Sequence, residues 1–376
     1  MIYVVQAGDT VDKIAAQFQV PVRELAYQNQ ISYPYRLAVG QALFIEKGQE
    51  GPKSPLLTFG YGYPFMEQEV LADTLPFLSR LNIFSYGFTE DGTLVPPAID
   101  ETWMIQTAKE SGVIPMLTLT SIGPDGRFHN DLVSVLAKDF AMQQRLIRQM
   151  WQVMEKKGYG GVDLDFEYIE EADRDAYTAF VKRVTIMMNV FGFVVTVALA
   201  PKYSADQKGI LYQGMDYAGL GAAANEVFLM TYEWGYTYGP PMAVSPIHQV
   251  RRVVEYAITE IPREKINLGI PNYGYDWPLP YEQGVTKART LGNMEAVNLA
   301  IDFGVEIQFD ETAQAPYFRY WQYGIQHEVW FQDVRSMQAA FDLIKEYGLH
   351  GAGYWNLMKL FRANWLLLSR NFSIIR

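Results

Sequence analysis

Along the first 46 residues the apolar positions change period several times. Tyr3-Val4-Val5 is a short apolar run that predicts a strand, and Gly8-Asp9-Thr10 turns the chain after it. Val11, Ile14, Ala15 and Phe18 then recur at helical spacing, with Asp9 or Thr10 placed to cap the helix. Pro21 suits the first turn of a second helix, in which Val22, Leu25 and Ala26 share a face and Asn29 stands near the end. A closing strand is expected over Leu37–Ile45. The order strand, helix, helix, strand makes residues 1–46 a self-contained unit. Residues 47–55, polar and rich in Gly and Pro, read as a linker to the larger part of the chain.

From residue 56 to 376 short apolar runs alternate with amphipathic stretches. Strands are expected at Leu56–Tyr61, Ile83–Gly87, Val113–Thr118, Gly161–Glu167, Phe193–Ala200, Val227–Tyr232, Ile266–Pro271 and His350–Trp355. Helical patterns lie between them, among them Leu132–Lys157, Ala172–Val190, His248–Ile258 and Ser336–Tyr347. Eight strands with intervening helices predict an α/β fold, a parallel (β/α)8 TIM barrel. The stretch from the seventh strand to the eighth is too long for one crossover. It contains the strand-like runs Arg319–Tyr323 and Glu328–Phe331, so a small α+β insertion is expected there.

Within the fourth strand, Val162-Asp163-Leu164-Asp165-Phe166-Glu167 alternates apolar and acidic residues. On a strand that period puts three carboxylates on one face. In a barrel the acidic face points inward and ends at the C-terminal rim, where active sites of this architecture lie. Repulsion and burial both favour the neutral form of a carboxyl, so Glu167, the outermost, is a candidate general acid. A solvent-facing strand edge, a divalent-cation site and a sugar-binding relic without turnover compete with this reading. The Gly160-Gly161 pair and the buried-type neighbours speak against the first, and the lack of a nearby His against the second.

Composition narrows the partners. Acidic residues outnumber basic ones 42 to 31, a formal charge of −11, which argues against nucleic acid and gives no pull toward an anionic membrane. No apolar stretch approaches a membrane span, and the chain opens into its first strand without the pattern of a signal peptide. There are no cysteines, which excludes thiol catalysis, disulfides and Cys-ligated zinc. Aromatic residues reach 14%, a share that suits both a core and a cleft that stacks on sugar rings.

Residues 1–46 resemble the LysM module, a binder of N-acetylglucosamine-containing glycans. The likeness is carried by Tyr-Val-Val-Gln-Ala-Gly-Asp-Thr (3–10), Ile-Ala-Ala-Gln-Phe (14–18), Asn29, Ile31, Leu37, Val39, Gly40, Gln41 and Leu43. It implies glycan contacts from Gly8, Asp9, Thr10, Ile31 and Tyr33, with weak binding by a single copy unless a second sugar site acts beside it. The run Gly160-Gly161-Val162-Asp163-Leu164-Asp165-Phe166-Glu167 resembles the fourth-strand signature of family 18 glycoside hydrolases, Asp-Gly-x-Asp-x-Asp-x-Glu, with Gly160 in place of the first Asp. Met230-Thr231-Tyr232-Glu233 is similar to the family's Met-x-Tyr-Asp, with Glu233 for Asp. Gly269–Gly274 and Gly353-Tyr354-Trp355 are similar to its seventh and eighth strand ends.

The resemblance implies Glu167, Asp165, Asp163 and Tyr232 as catalytic residues of a hydrolase that uses the substrate's own acetamide as nucleophile, with no cofactor and no metal. Trp355 is implied in carrying the sugar, and Glu233, Trp234, Asn272, Tyr273, Asp276 and Trp277 are candidate substrate contacts. The runs 230–236, 239–247 and 271–280 further resemble spore-cortex peptidoglycan N-acetylglucosaminidases of endospore-forming bacteria. The implied partner is peptidoglycan or a chitin-type glycan, and the implied location the spore coat, the cortex or the cell wall. Endo versus exo action and oligomeric state are not legible.

Overall fold

The computed structural model describes residues 1–47 and 51–376. In the N-terminal unit Ile2–Val4 pairs antiparallel with Ala42–Phe44, and helices Val11–Phe18 and Val22–Gln28 come between them in the chain. Thr10, not Asp9, caps the first helix: its Oγ1 accepts from the Lys13 amide at 3.2 Å. Asp9 instead accepts from the Gln6 amide and the Tyr3 hydroxyl. Pro21 sits at the cap of the second helix, one residue before the expected place. The closing strand is shorter than Leu37–Ile45, because Gly40 turns the chain at φ +84 just before it. Val5, Val11, Ile14, Leu25, Leu43 and Ile45 form the small core.

The linker expected over 47–55 ends earlier. Residues 48–50 lie outside the described residues, and Ser54 and Pro55 already belong to the first barrel strand, Ser54–Gly62. They pair there with the C-terminal strand Phe372–Ile374, an extra strand that short apolar periodicity did not reveal. The barrel runs Ser54–Gly62, Arg80–Phe88, Ile114–Thr120, Gly161–Asp165, Val194–Leu199, Glu226–Leu229, Ile266–Pro271 and Gly351–Trp355, all neighbours parallel. The eighth pairs with the first, so the sheet closes.

Two layers of packing follow from the strand period. Val162 and Leu164 face outward into the aliphatic layer under the helices, with Phe166 just beyond the strand end. Leu57, Phe59, Tyr61, Phe84 and Phe228 fill the interior, with Phe59 and Phe228 edge to face at 5.1 Å. The fourth strand ends at Asp165 and the sixth at Leu229, so Glu167 and Tyr232 stand on the loops beyond the strands rather than on them. The long helical pattern Leu132–Lys157 is two helices, Asn130–Lys138 and Phe140–Lys157. Asp139 breaks it by turning extended and accepting from the amides of Ala141 and Met142.

The insertion before the last strand is larger than the two expected runs. Gly274–Leu279, Arg289–Leu291, Gln308–Asp310, Ala315–Gln322 and Ile325–Trp330 form a five-stranded antiparallel sheet, covered by helix Asn293–Phe303. Gly274 lets its strand lie close to the neighbour, where a Cβ would stand 2.4 Å from the Trp330 carbonyl oxygen. The N-terminal unit docks on this insertion and on the helix that follows it, Val334–Tyr347. Ile307 donates its amide to the Val39 carbonyl at 2.9 Å, Arg335 donates to the Gly40 carbonyl at 3.2 Å, and Ala38 joins the insertion's apolar cluster. Gln30 bridges to the barrel by donating to the Leu360 carbonyl and accepting from the Arg362 amide.

Candidate active site

The strand period delivers Asp163 and Asp165 to the barrel interior. Asp163 is fully buried. Its carboxylate accepts from the Thr196 hydroxyl at 2.5 Å, on the adjacent fifth strand, and from the Tyr61 hydroxyl at 2.8 Å, on the first strand across the barrel. Burial pushes its pKa up to about 6, against the downward pull of those hydrogen bonds. Asp165 stands one layer higher, opposite Thr120 across the ladder, with Oδ1 enclosed and unpartnered among the described residues. Burial first, then the charges of Glu167 and Asp163, hold its carboxyl well above the usual range.

Glu167 is half-buried at the rim and its pKa is raised, by burial and then by Glu233. Glu233 comes from the loop after the sixth strand, in the left-handed region at φ 66, a conformation that a non-glycine residue holds only when its surroundings fix it. Those surroundings are two hydroxyls: Tyr273 donates to its Oε1, and Tyr275 donates to both oxygens at 2.9 and 3.1 Å. Burial still leaves its pKa raised, with the two tyrosines pulling it back. The Tyr232 hydroxyl is pushed well up by burial and by Asp165, Glu167 and Glu233, so it stays protonated as a donor at any working pH.

Trp355, at the end of the eighth strand, closes the floor. Its ring meets Phe84 at 5.1 Å, Tyr61 at 5.3 Å and Tyr63 at 6.2 Å, leaving the indole partly exposed. Beside it opens a cleft of about 380 Å³, lined among others by Glu233, Tyr273, Tyr275, Trp355, Met358 and Lys359. Asn272 also lines it, but spends its amide on the carbonyls of Asn356 and Lys359 and so braces the loop after Trp355. A larger groove of about 460 Å³ lies on the outer wall between Phe140, Trp151 and Phe191, and neither Trp355 nor Glu233 lines it.

Two expected substrate contacts are corrected. Trp277 is fully buried, its Nε1 donating to the Gly239 carbonyl at 2.8 Å. Asp276, 3% exposed, accepts from the Tyr320 hydroxyl and is paired with His327 and Arg289. Both lie on a strand of the insertion sheet, where neighbours on either face close over them. Trp234 is half-buried and packs against the outer apolar layer. Sequence reasoning missed Tyr61, near the end of the first strand, and Tyr63, just beyond it. That position at the C-terminal mouth was the signal available. Tyr275, the second donor to Glu233, was hidden by its insertion strand. In the N-terminal unit Gly8 and Thr10 are exposed and Asp9 half-exposed, while Ile31 and the largely exposed Tyr33 line a separate cavity.

Comparison with known proteins agrees with the fold. The model of glycosyl hydrolases family 18 matches residues 75–359, and that of the LysM domain residues 3–46. The cortical fragment-lytic enzyme of Bacillus subtilis (strain 168) is 39% identical, over all of this chain and 99% of its own. That of Bacillus anthracis is 40% identical over 80% of this chain and 70% of its own. The crystal structure of the Bacillus megaterium QM B1551 spore cortex-lytic enzyme SleL superposes with a TM-score of 0.92 at 33% identity, covering 100% of this chain and 98% of that one. The chain therefore belongs to family 18 of the glycosyl hydrolases, a glycoside hydrolase barrel preceded by a LysM domain.

Proposed function

We propose that the protein cleaves β-1,4 bonds after N-acetylglucosamine in spore-cortex peptidoglycan, by substrate-assisted catalysis with retention. The observation that carries this is the file Asp163, Asp165 and Glu167, one behind the other from interior to rim and beside the Tyr232 hydroxyl. Glu167 protonates the leaving glycosidic oxygen. The acetamide carbonyl oxygen attacks C1 with inversion, giving an oxazolinium intermediate, and water activated by Glu167 opens it with a second inversion. Asp165, whose enclosed Oδ1 has no partner among the described residues, accepts the acetamide N–H and orients it. Asp163 beneath it modulates its proton, Tyr232 donates to the acetamide oxygen, and Trp355 carries the sugar. Glu233, with its tyrosine clamp, and Tyr273 wall the neighbouring subsite.

Cortex peptidoglycan is favoured as substrate by the full-length similarity to the cortical fragment-lytic enzyme and to SleL, which also supports a spore-associated location. LysM binding to the same acetamido-sugar polymer would hold the enzyme on it. The test is product analysis on muramic-δ-lactam peptidoglycan beside chitotetraose. Fragments with N-acetylglucosamine at the reducing end are expected; muramic reducing ends would refute the bond assignment, and much faster turnover of chitotetraose would move the substrate to chitin. Glu167→Gln should lower turnover at least roughly 10²-fold, the usual scale of general acid–base help, and Asp165→Asn should do nearly as much damage.

A further inference from the structure

In this chain the loop after the second LysM helix, with Ser32, Tyr33 and Pro34 exposed, runs beside the insertion of the barrel. Ile31 and Tyr33 line a cavity of about 100 Å³ whose opposite wall is the barrel's insertion helix Asn293–Phe303, through Met294, Asn298 and Ile301. The two walls are fixed to each other. Gln30, at the cavity, is bonded to Leu360 and Arg362 of the barrel, and Arg36 pairs with Asp302 of the helix at 2.8 Å. The lining has the mixed chemistry that suits one face of a sugar: Tyr33, which is 86% exposed, apolar side chains for the C–H face, and a free amide. Asn298 is exposed and has no hydrogen-bond partner among the described residues.

The same helix also borders the cleft beside Trp355 and Glu233. Its first turn, at Gly292 and Glu295, lines the cleft beside Met358 and Lys359. At ~1.5 Å rise per residue, Gly292 and Asn298 are about 9 Å apart along the axis, the span of a sugar unit or two. A glycan leaving the cleft over this helix therefore meets the LysM loop without any flexible gap to cross.

We propose that Tyr33 of the LysM domain and Asn298 of the insertion helix form one composite subsite for an acetamido sugar, several units away from the cleaved bond on the same strand. Asn298 pairs with the acetamide while the ring of Tyr33 covers the sugar. This rests on the proposed glycan-hydrolase function. Because the two walls are bonded to each other, occupancy of the cleft raises the effective concentration of the distal sugar and the two sites reinforce each other.

The test uses the full chain carrying Glu167→Gln, so that ligand is not consumed, titrated calorimetrically with chitobiose and chitohexaose. The parent should bind the hexamer more tightly than the dimer. Asn298→Trp, which fills the cavity from the barrel side, and Tyr33→Ala should each reduce that hexamer-to-dimer affinity ratio roughly 10-fold. Asn298→Ala, which deletes the amide without bulk, decides the matter if the tryptophan variant melts early. A ratio lost in Tyr33→Ala but kept in both Asn298 variants overturns the composite site and leaves the LysM domain acting alone. A ratio kept in all variants overturns it as well. Failure of the glycan-hydrolase reading shows separately, as absence of hydrolysis by the unsubstituted enzyme.

Discussion

Asp163 has no contact with water and two hydroxyl donors, so its protonation is a matter of stability as well as chemistry. A carboxyl whose folded-state pKa of about 6 exceeds its ordinary value of 3.8 holds its proton more tightly when folded. Its stabilising effect is complete below the unfolded pKa and is lost as pH rises through the folded one. The difference corresponds to about 3 kcal/mol. Asp165 and Glu167 are raised too and act in the same direction. Unfolding midpoints should therefore fall between about pH 4 and about pH 6 more steeply for the natural protein than for Asp163→Asn. Equal slopes would show that Asp163 is ionised without cost. For the proposed reaction the neighbour that matters is Glu233. Its charge helps keep Glu167 protonated, so Glu233→Gln should lower the acid's pKa and move the alkaline limb of the kcat/KM profile to lower pH. An unmoved limb would mean that burial alone sets the Glu167 proton.

At the scale of elements, Asp139 shows where sequence periodicity stops being informative. The apolar spacing of Leu132–Lys157 continues across it, and only the capping geometry reveals two helices. Asp139→Ala removes both cap bonds and is expected to cost about 1 kcal/mol, read as a lower denaturant midpoint at constant m; no change would mean that helix packing alone fixes the break. The barrel strands were legible because each is a short apolar run bounded by turns, and the acidic file because its period is two. Glu167 and Tyr232 could be assigned to the right rim although their strands end before them. Asp276 and Trp277 misled for a related reason. The chain past Pro271 reads as an active-site loop, yet pairs as a strand of the insertion sheet. That pairing depends on partners some 50 residues away, such as Trp277 opposite Glu328, which no local pattern announces. The role of the Tyr275 hydroxyl was hidden with it.

For the whole molecule the decisive contact is between the two domains, and it rests on a glycine. Gly40 has φ +84, and a Cβ there would stand 1.8 Å from the carbonyl oxygen of Ile307, a backbone atom with little room to yield. A strand-forming or alanine residue is therefore excluded twice, by conformation and by the barrel itself. In Gly40→Ala the LysM domain must either distort its turn or move off the insertion, and moving off also breaks the bonds from Ile307 to Val39 and from Arg335 to Gly40. The overpacking and left-handed backbone together should cost on the order of 2 kcal/mol. The barrel closes without the LysM domain, so hydrolysis of a short chromogenic chitobioside should persist. Retention on insoluble cortex should weaken, since two tethered sites no longer hold a fixed spacing. Small-angle scattering should register a larger radius of gyration for the variant. An unchanged radius together with unchanged cortex retention would show that the docked arrangement tolerates the extra methyl, and that Gly40 serves the turn alone.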